Sequence, residues 1–544
     1  MKFVLLSLLV LVPSLQARTL AEAAVLQAKA LEAGCIVTGE RVGGQVSFAL
    51  AGKATEAGNT PPEKLVFEIG SITKVFTGLL LAQAVVEKKV TLETTISSVL
   101  DPQLKFADPR VAAITLKQLS THTSGLPRLP DNLDAGAVEG DPYAHYDEKL
   151  LLAYLTSAKL EGEGPYSCSY SNLGVGLLGH LLGKVYGMSW EKAVVAKICL
   201  PLGLNDTAVH PGPLLPLATP HAGEKGVKPW HLDAMAGAGA LRCTAADLLK
   251  FGEAMLHPEQ TPLKDAFAIA LQAQADAPAM GGQIGLGVFL GKREGESFFS
   301  HDGGTGGYSS SLQVIPSKEI VRVALINNNS LSGSAVIAAM SDAKPTTPQK
   351  PKEISLPAET MAEYPGVYEL DRDSRFTVLL RDGQLWVNLT GQAFLRAFAK
   401  APDRFFYKAV AAEIAFNREQ GQIQALTLFQ NGRELTAKRT PALPPNYKLR
   451  PAKELQPYAG EYLLMGLKKF TLAVRGGTLF AQLEGQEAAP VFETATDRFE
   501  YDVVKAILIF ARDDQKQISG FTLLQNGLPI SAARVKPPTS APSK

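Results

Sequence analysis

A serine and a lysine three residues apart, Ser71 and Lys74, have the types and spacing of an activated nucleophile. A serine hydroxyl attacks poorly at its own pKa and needs an adjacent base. A helix that starts at about Ser71 puts the residue three places on upon the same face, one turn up. The Lys74 amine then stands beside the hydroxyl. Residues 75–86 are almost wholly apolar, so this helix is expected to be buried and its lysine desolvated. Burial lowers a lysine's pKa and makes the neutral amine available as a base near neutral pH. The helix start also leaves unpaired N–H groups near Ser71, which favour developing negative charge. The competing reading of Ser71 is a helix N-cap, a position serine favours.

Two further constellations follow. The segment Pro165-Tyr166-Ser167-Cys168-Ser169-Tyr170-Ser171-Asn172-Leu173-Gly174 carries Tyr-Ser-Asn, and Ser300-His301-Asp302-Gly303-Gly304-Thr305-Gly306-Gly307-Tyr308 carries His-x-Gly. The order S-x-x-K, Y-x-N, H-x-G resembles the family of class C β-lactamases, D,D-peptidases, D-aminopeptidases and related esterases. Residues 119–127, 200–204 and 237–248 support the resemblance, which covers most of residues 30–340.

The resemblance implies roles. Ser71 is the acyl-accepting nucleophile and Lys74 its general base. Tyr170, near two cationic groups, passes a proton from Ser71 to the leaving group; its alternative is a packed aromatic. Asn172 holds Lys74 and the substrate's amide carbonyl, or else caps the helix near Leu173. His301 stands where class C β-lactamases mostly carry lysine, and its imidazole can bond Tyr170 or a substrate carboxylate. Gly303 and Gly304 let backbone approach the acyl group, and the N–H groups of Ser71 and Gly304 form the oxyanion hole. His122 belongs to a structural turn near the site. No metal and no cofactor are required.

At 544 residues the chain exceeds one hydrophobic core, and its 46% apolar and 20% charged residues are those of a globular protein. A net charge of +1 provides no electrostatic reason to expect nucleic acid as a partner. Residues 1–17, with Lys2, an apolar stretch and a small residue at Ala17, read as a signal peptide. The stretch is too short to span a bilayer, which takes about 20 residues. A periplasmic or secreted protein without a membrane span is expected.

Residues 18–343 alternate helical and strand-like stretches and read as an α/β catalytic domain, an antiparallel sheet flanked by helices. Helices are expected over 79–89, 150–159, 173–185 and 245–255, and strands over 46–51, 285–290, 310–314 and 320–327, the last two as a hairpin. A polar, Pro-rich linker covers 344–354. The chain then repeats itself: Tyr364-Pro365-Gly366-Val367-Tyr368 returns as Tyr458-Ala459-Gly460-Glu461-Tyr462, and Asp403-Arg404-Phe405 as Asp497-Arg498-Phe499. Short strands broken by turn signals indicate two small antiparallel β-barrels, 355–440 and 453–536, joined by a linker over 441–452. Residues 537–544 read as a disordered tail. A catalytic domain followed by two barrels resembles the layout of D-aminopeptidases of the family.

The cysteines are Cys35, Cys168, Cys199 and Cys243. They lack the spacing of a zinc site, and export permits oxidation. A Cys168–Cys243 disulfide behind the Tyr170 loop is one expectation, small buried thiols the other.

The leading expectation is an exported serine hydrolase that forms an acyl-enzyme and cleaves amide or β-lactam bonds, with a small-molecule or peptide substrate carrying D-residues. A carboxylesterase with the same residues is the second reading. A silent binding protein for cell-wall fragments is the third, opposed by the complete set Ser71, Lys74, Tyr170 and His301.

Overall fold

The computed structural model describes residues 18–535 except 55–57, 134–137, 139, 212–214, 281, 294, 341–352, 372–373, 408–411, 431–432, 476–477, 485–487 and 526–527. The expected signal peptide, the disordered tail and all but two residues of the first linker lie outside the described residues. The chain falls into two compact units. One lies within Met1–Glu163, Ser171–Ala275 and Ile284–Lys350, the other within Gly164–Tyr170, Asp276–Gln283 and Pro351–Lys544.

The first unit is built on an antiparallel sheet. Strands Gln45–Gly52, Cys35–Val42, Ile320–Ile326, Ser309–Ile315, Glu296–Gly304 and Phe289–Arg293 lie side by side in that order. The near-continuous apolar run of Ile320–Ile326 reflects burial on both faces. Ala324 and Ile326 pack with Leu20, Ala23 and Ala24 of helix Leu20–Ala28 and with Val336 and Ile337 of helix Gly333–Ala338. Val321, of opposite parity, meets helix Ala245–Leu256 at Gly252, where an added Cβ would stand 2.4 Å from the valine. Period-two alternation thus sends one strand's side chains into two helical layers.

The expected helices form over Thr73–Val86, Glu148–Ser157, Asn172–Tyr186 and Ala245–Leu256. The hairpin forms as Ser309–Ile315 and Ile320–Ile326, turned by Pro316–Lys318. The strand expected over 285–290 is a correction, since only Phe289 and Leu290 are extended there. Gly285 N–H bonds Val288 O instead, and Gly287 takes φ +72°. This turn lies on helix Thr73–Val86 so closely that a Cβ at Gly78 would sit 1.9 Å from Leu286 O.

The second unit contains two closed eight-stranded antiparallel barrels, running from Gly366–Glu369 to Arg433–Arg439 and from Gly460–Leu464 to Leu528–Arg534. The sequence repeat is a repeat of contacts. Tyr368 hydroxyl donates to Tyr364 O at 2.7 Å, and Tyr462 hydroxyl donates to Tyr458 O at 2.8 Å. Arg418 grips Asp403 through two nitrogens, as Arg512 grips Asp497. Asp403 and Asp497 both take positive φ, +58° and +61°. Aromatic rings fill both interiors, with Tyr364, Tyr368 and Phe416 in the first and Tyr458, Tyr462 and Phe521 in the second. The connection contributes Tyr447 to a cluster with Leu379, Phe394 and Phe492.

The Cys168–Cys243 disulfide is not present. None of the four cysteines is in a disulfide, and all four are buried. Cys243 Sγ lies 3.1 Å from Thr207 Oγ1 and donates to Thr244 O, and desolvation raises its pKa well above the usual value. Cys168, in the second unit, has a thiol pushed up to about 12 by burial. The reading as small buried side chains is the correct one.

Candidate active site

Ser71 sits in a 3-10 turn, Gly70–Ile72, that leads into helix Thr73–Val86. Neither element is capped by a side chain at its start, so Ser71 is not an N-cap. Its hydroxyl instead accepts from Lys74 Nζ at 2.9 Å. Lys74 is fully buried, and its Nζ also donates to Ala238 O at 2.7 Å. Desolvation, aided by the positive charge of Arg128, holds the Lys74 amine well below the ordinary lysine pKa. One turn of helix brings the hydroxyl and the amine together, and burial favours the neutral form of the amine.

Ala238 belongs to Ala236–Gly239, which docks on the same helix. Thr77 Oγ1 donates to Gly237 O at 2.7 Å, and Leu241 N–H donates to Thr73 Oγ1 at 3.1 Å. The residues on either side of the carbonyl that orients Lys74, Gly237 and Leu241, are therefore held by two hydroxyls of the lysine's own helix. Sequence reading matched this segment to the family without finding the carbonyl, because a backbone acceptor has no residue signature.

Gly303 and Gly304 end strand Glu296–Gly304 beside the serine. A Cβ on Gly303 would lie 2.0 Å from Ile69 O and 2.4 Å from Ser310 Oγ, and one on Gly70 would lie 2.6 Å from Gly304 N. Backbone touches backbone at this point, which only glycine permits. Ser310 Oγ fastens the approach by donating to Ile69 O at 2.9 Å. His301, on the same strand, is 3% exposed and stacks on Phe289 at 4.8 Å. Its Nδ1 lies 2.6 Å from Asp302 O; a carbonyl only accepts, so Nδ1 carries the proton.

Asn172 opens helix Asn172–Tyr186, and its side chain bonds the Tyr143 hydroxyl. The cap of that helix is Ser171, whose Oγ accepts from Gly174 N–H at 2.9 Å. The preference of serine for an N-cap directly before a helix was the signal that would have found it. Tyr143 in turn packs against Trp230, ring centroids 5.3 Å apart. Trp230 N–H donates at 2.9 Å to Glu68 Oε1, which also receives Arg242 Nη2 at 3.3 Å. Glu68 is 4% exposed, and burial pushes its carboxyl up despite those donors. It ties strand Val66–Glu68, just before Ser71, to strand Arg242–Thr244.

Ser71, Lys74, Asn172, His301, Gly303 and Gly304 all belong to the first unit. Tyr170 closes the segment Gly164–Tyr170 of the second unit, one residue before Ser171. Among the described residues no cluster of three or more His, Cys, Asp or Glu could hold a metal ion, and no helix is long and apolar enough to cross a membrane.

The Beta-lactamase family profile matches residues 29–345, and a domain of unknown function, DUF3471, matches residues 350–439. Penicillin-binding protein 4 of Amycolatopsis lactamdurans is 31% identical over 284 residues, 48% of this chain and 72% of that one. The D-alanyl-D-alanine-carboxypeptidase/endopeptidase AmpH of Escherichia coli K12 is 26% identical over 53% of this chain and 78% of its own. Penicillin-binding protein 4* of Bacillus subtilis is 24% identical over 69% and 88%. Among solved structures, SurE superposes with a TM-score of 0.52 at 22% identity, covering 77% of this chain and 99% of SurE. A β-lactamase/D-alanine carboxypeptidase from Pseudomonas syringae gives 0.51 at 20% identity, over 60% and 98%.

Proposed function

We propose, from the premise that this chain belongs to the Beta-lactamase family of serine hydrolases, that it cleaves amide or β-lactam bonds through an acyl-enzyme on Ser71. One observation carries this reading: a fully buried, pKa-depressed Lys74 amine lies 2.9 Å from the Ser71 hydroxyl. The neutral amine takes the hydroxyl proton as Oγ attacks the carbonyl carbon. The resulting oxyanion is received by the N–H groups of Ser71 and Gly304, where Gly70 and Gly304 already touch. Tyr170 protonates the leaving nitrogen and regains its proton from the Lys74 ammonium, so both groups return to their starting forms. Asn172, bonded to Tyr143, orients the substrate amide. Water, deprotonated by the same groups, then releases the acyl chain and restores Ser71.

The substrate class proposed is a peptide or lactam with a D-residue next to the cleaved bond. The name of AmpH as a D-alanyl-D-alanine-carboxypeptidase/endopeptidase supports it, as does export to the periplasm or beyond, read from residues 1–17. His301 meets a substrate carboxylate through Nε2, which donates in the imidazolium form while Nδ1 keeps its proton on Asp302 O. A carboxylesterase using the same residues is the alternative to test.

A panel of nitrocefin, D-amino-acid p-nitroanilides, D-alanyl-D-alanine peptides and p-nitrophenyl esters decides between them. The amide and lactam reading expects turnover of nitrocefin or a D-residue substrate, with loss in Ser71→Ala. Turnover of p-nitrophenyl esters alone would overturn it in favour of the esterase.

A further inference from the structure

His122 lies in the loop after helix Leu116–Ser120, and three features of it exceed the needs of a turn. It is 2% exposed. Its φ is +58°, the left-handed region, which costs a residue other than glycine of order 1 kcal/mol and persists only where surroundings enforce it. Its ring nitrogen Nδ1 receives the Ser171 N–H at 3.1 Å, in the interior. An N–H can only donate, so Nδ1 is unprotonated and the proton of the neutral ring stands on Nε2.

The same short loop captures the next residues too. Ser171 Oγ donates to Pro127 O at 2.6 Å. Asn172 and Leu173 N–H both donate to Arg128 O, at 3.0 and 3.1 Å. Every one of these bonds ends on residues 122–128. All but the first use backbone acceptors that any sequence would supply. The imidazole is the one side-chain acceptor in the set.

We propose that His122 is a positioning residue, whose unprotonated Nδ1 holds the Ser171 amide and thereby sets where Asn172, and Tyr170 before Ser171 in the chain, present their side chains. Burial, and after it the charges of Lys74, His301 and Arg128, hold its pKa well below the usual histidine value, which favours the acceptor form that the Ser171 contact shows. The left-handed backbone aims the ring toward Ser171. Among other residues, asparagine best tolerates that backbone and offers an acceptor oxygen. Glycine accepts the backbone and offers nothing.

That contrast makes the test, whose activity arm rests on the serine-hydrolase reading. His122→Gly keeps the turn and deletes the acceptor, and His122→Asn keeps both. Amide hydrogen exchange at Ser171 is read by mass spectrometry, alongside the rate of Ser71 labelling by a fluorophosphonate. His122→Gly is expected to speed exchange at Ser171 by roughly tenfold or more and to slow labelling by about 10- to 100-fold. His122→Asn is expected to stay nearer wild type than His122→Gly in both readouts. Wild-type exchange at Ser171 in His122→Gly, or His122→Asn as impaired as His122→Gly, overturns the proposal. Absence of labelling in the wild type strikes the hydrolase reading instead, and leaves the exchange arm to decide this one.

Discussion

Lys74 Nζ lies between Ser71 Oγ at 2.9 Å and Ala238 O at 2.7 Å, in a site with no solvent exposure at the lysine. An ammonium there would be shut off from bulk solvent, with these two oxygens among its acceptors. The desolvation outweighs them, and the amine's pKa falls.

A pH dependence follows. The labelling rate of Ser71 is predicted to rise with pH as Lys74 loses its proton, and to level off well below the ordinary lysine pKa of about 10.4. The folded-state pKa is lower than the unfolded one, so in the window between them the unfolded chain binds more protons. Stability therefore rises with pH across that window. Lys74→Met lacks this proton. Wild type should gain stability relative to Lys74→Met as the pH rises toward the unfolded lysine pKa of about 10.4, read by chemical denaturation. A constant difference would show that Lys74 is not desolvated.

Gly303 and Gly304 are neighbours with opposite tolerance. A methyl at 303 collides with Ile69 O, whereas the nearest atom to a methyl at 304 is Tyr308 O at 3.9 Å. Gly303→Ala is predicted to cost about 1–3 kcal/mol through overpacking. Gly304→Ala should melt within about 0.5 kcal/mol of wild type. Equal losses in the two variants would contradict the described contact.

His301→Lys tests how a substrate carboxylate is read. Lysine offers a permanent point charge where the imidazole, its Nδ1–H on Asp302 O, can donate through Nε2 only when doubly protonated. The ratio of nitrocefin to p-nitrophenyl ester turnover should rise in this variant. An unchanged ratio would remove His301 from carboxylate recognition.

In the second barrel, the Glu493 side chain is fully buried and paired with Arg450 of the connecting segment. Removing the cation strands a buried carboxylate. Arg450→Ala is predicted to cost about 3 kcal/mol, and adding Glu493→Gln should recover part of it. Denaturant unfolding of the two variants checks this, and an additive double variant would count against the pairing.

Much of this was legible in the residues. The i, i+3 spacing of Ser71 and Lys74 made their meeting a matter of helix geometry. Tyr364/Tyr458 and Asp403/Asp497 announced two like barrels because the tyrosine–aspartate–arginine contact needs the same residues each time. Features made by backbone were hidden. The Ala238 carbonyl and the Gly285–Val288 turn depend on how segments dock, which periodicity does not encode. His122 was read as a structural turn, since its bond to Ser171 joins residues 49 apart. The Cys168–Cys243 pair failed because nothing in residue type separates a thiol that is to be oxidised from one that packs as a small buried side chain.

The central claim is that Ser71 becomes covalently acylated. Intact-mass spectrometry after incubation with benzylpenicillin or a fluorophosphonate tests it most directly, on wild type and on Ser71→Ala. The account predicts one added acyl or phosphonyl mass on the wild type, mapped to the peptide containing Ser71, and none on Ser71→Ala at unchanged thermal stability. The same added mass on Ser71→Ala would contradict it.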